Sequence, residues 1–120
     1  MRRDMDLIRR MLIDCADSPG PVDASVWVTD SRPMAVVGYH VQLLSESGLA
    51  VCSVFSADGD PYYRCSVDRL TWSGQDFLAA VADDGIWSQV KRRVSATVGT
   101  VAADTLKALA VRLAADVLGL

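Results

Sequence analysis

His40 is the only histidine in the chain. An imidazole is the usual metal ligand or general base at neutral pH, but either role needs partners. The three thiols, Cys15, Cys52 and Cys65, are scattered and form no C-x-x-C or comparable ligand spacing. A nucleophilic enzyme would need a Ser or Cys beside its base. The sequence has no G-x-S-x-G, no phosphate-binding glycine loop and no H-E-x-x-H. Ser88-x-x-Lys91 matches one motif of penicillin-recognising enzymes, without its companions. The carboxylate pairs Asp58/Asp60 and Asp83/Asp84 lie in turn-like sequence, where Asp bonds nearby backbone. The reading is a chain that is not an enzyme and needs no cofactor or metal, with His40 in a structural or partner-contact role.

Recognition chemistry is the better prospect. Tyr39, Gln42 and Ser45 share one side of a central helical stretch. Gln is suited to adenine in the major groove, and Arg64 on a following hairpin is suited to phosphate. Tyr62 and Tyr63 are neighbours on a strand, so one must face outward; Tyr63 is the candidate contact. Duplex binding demands several Lys or Arg against phosphates. The net charge of −3 works against that. Between Cys15 and Trp87 the bases are Arg32, Arg64 and Arg69, set against ten acids. The basic residues concentrate at Arg2, Arg3, Arg9 and Arg10, and at Lys91, Arg92 and Arg93.

At 120 residues, 51% of them apolar, the chain can bury a core without disulfides or metal. No run reaches membrane-span length, and the N-terminus has no signal-peptide core. An odd number of cysteines fits a reducing compartment, so a cytoplasmic protein is expected.

The elements that position these residues are expected in order. A first helix spans Asp4–Ala16, with Met5, Ile8, Leu12 and Cys15 on its apolar stripe and Leu7 and Met11 widening it. Ser25–Thr29 reads as a short strand. Only Asp30 to Ala35 then remains for a second helix, and Pro33 limits it to about one turn. Val37, Val41 and Leu44 fix the inner face of the central helix, with Gly38, Tyr39, Gln42, Ser45 and Glu46 outward. Gly48 ends that helix. Leu49–Phe55 and Tyr62–Arg69 make a hairpin, with Ala57-Asp58-Gly59-Asp60-Pro61 as the turn between them. Thr71 or Ser73 caps the next helix, and Trp27, Trp72 and Trp87 are expected in the core. A last helix, from about Val101 to Leu118, carries Leu106, Leu109, Leu113 and Val117 on one stripe, suited to internal packing or to a homodimer. The fold class is α+β: a winged-helix-like domain over 1–86 (helix, short strand, helix, β-hairpin wing) with a C-terminal helical extension over 87–120.

RRDMDLIRRML, GYHVQLLSESGL, RLTWSGQDFL, DDGIWSQVK and the closing DTLKALAVRLAADVLGL together resemble the bacterial and prophage family called domain of unknown function 2513. The resemblance implies a winged-helix-like fold with a helical extension. It brings no catalytic residues, and it implies a phage or mobile-element setting. Two functions follow as expectations. One is a dimeric, DNA-binding transcription regulator that uses Tyr39, Gln42, Ser45 and Arg64, with Lys91, Arg92 and Arg93 on phosphates. The other is a protein-binding module of the same fold that does not touch DNA. The first is the main expectation, on fold precedent; in the second, the missing second helix and the acidic face have released the fold from DNA.

Overall fold

The structure is a computed structural model describing residues 1–95 and 103–118, with side chains described for 1–93 and 107–115. The described residues form two compact units, Met1–Gln75 and Asp76–Leu120. They divide earlier in the chain than the 86/87 boundary read from the sequence.

The first unit is built on three helical pieces and a small sheet. Helix α1 spans Met5–Ala16. Asp4 caps it: its carboxylate accepts the N–H groups of Asp6 and Leu7, which no earlier turn can satisfy. Leu7, Ile8, Met11, Leu12 and Cys15 are buried, as the periodicity predicts, while Met5 at the start of the stripe is only half-buried. The chain then turns through Pro19-Gly20-Pro21 into β1, Val22–Asp23, and a 3-10 helix, Ala24–Trp27.

This corrects the strand expected over Ser25–Thr29. Asp23 caps the 3-10 turn by accepting the Ser25 N–H at 2.9 Å, so the backbone coils instead of extending. The inward side chain is Trp27, whose Nε1–H donates to Asp14 of α1 at 2.8 Å. Thr29 and Arg32 then exchange two backbone hydrogen bonds at 3.0 Å, closing a tight turn. No second α-helix lies between Trp27 and the central helix.

The central helix, α2, spans Met34–Glu46. Val37, Val41 and Leu44 are fully buried, and Gly48, at φ +76°, ends the helix in the left-handed region that only glycine enters cheaply. Strands β2, Ala50–Ala57, and β3, Asp60–Leu70, form the hairpin, longer than expected because their turn is only Asp58-Gly59. Both turn residues have positive φ, 49° and 82°, the geometry that matches strand twist. The sheet is antiparallel in the order β1-β3-β2.

Pairing shifts by one residue between Val51 and Cys52, leaving Asp68 as an extra residue on β3. The bulge is pinned: Ser53 Oγ donates to one Asp68 oxygen at 2.7 Å and Ser66 Oγ to the other at 2.8 Å. It also lets Leu70 join Cys65 and Val67 on the buried face. Thr71 caps helix α3, Trp72–Val81, by accepting the Gly74 N–H at 3.0 Å, and its hydroxyl donates to Gly48 O. Trp72 is 85% exposed, which corrects its expected place in the core. It lies two residues, roughly 200° around the helix, from buried Gly74.

In the second unit, helices α4, Asp84–Ser95, and α5, Ala103–Leu118, pack on each other. Asp83 caps α4 through the Ile86 N–H at 2.8 Å. Ile86, Trp87, Val90, Ala110 and Leu113 are buried. The architecture is α+β, with five α-helices and a three-stranded sheet among the described residues, consistent with a winged-helix-like fold and a C-terminal helix. No helix among the described residues is long and apolar enough to cross a membrane.

Candidate interaction surface on the central helix and hairpin

The surface is set by a close approach of α2 to β3. A Cβ at Gly38 would lie 2.5 Å from Tyr62 Cβ and Cγ, so the absence of a side chain there lets the ring settle on the helix. Gly38 is therefore buried, correcting its expected outward position. From this seat the Tyr62 hydroxyl donates to Gln42 Oε1 at 2.7 Å.

Beside this clamp lies an open groove of about 550 Å³. Gln42, Ser45 and Glu46 of α2 form one wall, Cys52 and Val54 of β2 the floor, and Tyr62 closes it, with Ser56 and Pro61 nearer the turn. Gln42 and Ser45, two of the residues singled out from the sequence, meet here. Glu46 carries the groove's only ionisable carboxylate among these lining residues, and α2 contains neither Lys nor Arg.

The other singled-out residues are dispersed. Tyr39 is half-buried, its ring edge-on to His40 with centroids 5.7 Å apart. Arg64 pairs with Phe55 on the opposite face of the sheet from buried Cys65. There it helps to hold the Asp23 carboxyl below the usual carboxylate range, mainly an effect of the hydrogen bonds from Ser25. Tyr63 is 62% exposed, so of the tyrosine pair it is the one facing out. Lys91, Arg92 and Arg93 are exposed on α4, within the second unit. On α5, Leu113 and Ala110 are covered within the chain and Leu109 is half-buried. The side chains of Leu106 and Val117 lie outside those described.

His40 faces the interior with both nitrogens engaged. Nε2 accepts the Asp4 N–H at 2.8 Å, and Nδ1 lies 2.8 Å from Val36 O. These partners assign the proton to Nδ1. The ring ties the first turn of α1 to α2 and is a structural group.

The thiols are free. Burial, aided by Asp68, pushes Cys52 up to about 12, and burial with Asp14 pushes Cys15 up to about 11. Burial raises Cys65 as well. All three stay protonated at neutral pH, the poorly nucleophilic form.

Sequence reasoning missed the groove because it depends on Tyr62, not Tyr63, turning inward. The available signal was Gly38: a glycine within a helix adjoining buried positions marks a close approach by another element.

The family model described as hypothetical protein (DUF2513) matches residues 2–100. The match ends before α5, so it does not carry the likeness read in the tail. Searches of the curated proteins and of the solved structures gave no match. With most of its length under that one model, including α1, the hairpin and α4, the chain belongs to the DUF2513 family.

Proposed function

We propose that this chain is a non-enzymatic interaction module that binds a protein partner through α2 and the hairpin. The observation that carries this reading is the state of Gln42. Reading adenine uses both atoms of the amide at once. Here the amide oxygen already accepts from Tyr62, on a helix without a single cation. Asp58 and Asp60 at the hairpin tip, and Glu46 on α2, would repel a phosphate backbone. A groove with apolar floor and polar rim is instead ordinary for protein and peptide contact.

A second reading, a DNA-binding regulator, draws on the exposed Lys91, Arg92 and Arg93 and on the helix-hairpin order. In that reading two copies join through α5.

Two measurements decide between them. A photo-crosslinking residue placed at Tyr39 or Tyr63 is expected to trap discrete protein bands in cells. Random duplex DNA at low salt is expected to give no mobility shift. A salt-dependent shift abolished by replacing Arg92 and Arg93 would reject the protein-binding reading.

A further inference from the structure

Strand β2 is an unguarded edge. In the order β1-β3-β2 its outer side meets no strand among the described residues. Proteins blunt such edges with charge, proline, brevity or bulges. β2 has eight residues, AVCSVFSA, with no charge and no proline. Its pairing with β3 is irregular at two places, Val51/Cys52 and Phe55/Ala57, but both put the extra residues on β3, so β2 itself carries no inserted residue. Phe55 is 58% exposed, and Val51 and Val54 are exposed beside it. A long, uncharged, apolar edge is a template for another strand.

The groove lies along that strand. Cys52 and Val54 supply its floor, and α2 supplies a wall whose only charge is Glu46. Asp58 and Asp60 stand at the hairpin turn. An added strand would place alternate side chains over Cys52 and Val54, against α2. Neither α2 nor β2 has a Lys or Arg; the hairpin's two, Arg64 and Arg69, are on β3, with Arg64 opposite Phe55 on the face of the sheet away from buried Cys65.

Resting on the protein-binding reading, we infer that the occupant is an extended basic peptide that adds to β2 as a fourth strand. Main-chain hydrogen bonds hold it; alternating apolar residues fill the floor, and a Lys or Arg pairs with Glu46. A second copy of this chain is the weaker occupant, because its own β2 edge, flanked by Glu46, Asp58 and Asp60, would bring like charges together.

The test uses the full chain and a displayed library of random dodecapeptides. The expected result is enrichment of sequences alternating apolar residues with Lys or Arg. A synthetic peptide of the enriched sequence should bind about tenfold more weakly to Glu46→Lys, whose fold is checked by circular dichroism. Methylating alternate peptide amides, which removes the edge donors, should abolish binding. Saturating peptide should slow alkylation of Cys52. Enrichment of acidic or patternless sequences, no enrichment, or equal binding of the methylated peptide would overturn the inference. So would a doubled mass that Val54→Lys returns to a single chain, because a second copy would then cover the edge. Crosslinks from Tyr39 or Tyr63 that persist in any of these cases would reject strand addition alone. A DNA shift would reject the wider reading with it.

Discussion

Tyr62 rests on Gly38, with its Cβ and Cγ 2.5 Å from where a Cβ would stand. Helix propensity favours Ala over Gly by about 1 kcal/mol. Forcing a methyl into a filled contact costs about 1–3 kcal/mol. The contact includes Tyr62 Cβ, which cannot swing away as a ring tip can. Gly38→Ala is therefore expected to destabilise the fold, measured by urea unfolding. In a Tyr62→Gly background, with both Cβ and ring gone, the same substitution should stabilise by up to ~1 kcal/mol.

His40→Ala removes a buried ring and leaves the Asp4 N–H without its acceptor. The cavity and the lost hydrogen bond together should cost about 2–4 kcal/mol. Because Asp4 also caps α1, hydrogen exchange in the first turn of that helix should accelerate more than in α2.

Alkaline pH is expected to destabilise the protein through its thiols. Cys52 and Cys15 are raised in the fold to about 12 and about 11, from an ordinary 9.0. Unfolded thiols thus lose their protons first. The stabilisation is whole below pH 9.0 and drains away as pH rises through the folded values. Cys52→Ala should flatten the decline in urea midpoint above that pH.

On α5, Leu113 is 2% exposed and Val111 is 52% exposed. Leu113→Asp should lower the melting temperature sharply, because a carboxylate replaces a buried side chain. Val111→Asp should leave stability within ~0.5 kcal/mol. Light scattering on both variants reports whether mass changes with either.

Local signals with a single physical answer were readable from the sequence. Gly48 and Asp58-Gly59 need positive φ, and Val37, Val41 and Leu44 can share a face only on a helix. Asp23 through Trp27 was not, because one side-chain hydrogen bond outweighs the strand preference of Val26 and Val28. Trp72 misled for a related reason. Its bulk argues for burial, but the cap at Thr71 fixes which side of α3 it occupies. Of the candidate site, Gln42 and Ser45 were legible as a helix face. Their groove was not, since it exists only once Tyr62, twenty residues away in sequence, bonds to Gln42.

The extra residue at Asp68 sets the phase of everything after it. Val67 and Leu70 are three apart yet point the same way, which regular alternation forbids. Deleting Asp68 would give a tidier hairpin and a worse protein: Leu70 would swing into water, and Thr71 would no longer arrive under the Gly48 carbonyl to start α3. The irregularity works as a half-turn in the chain's own thread, and homologues should vary more freely in the two serines that hold it than in its length.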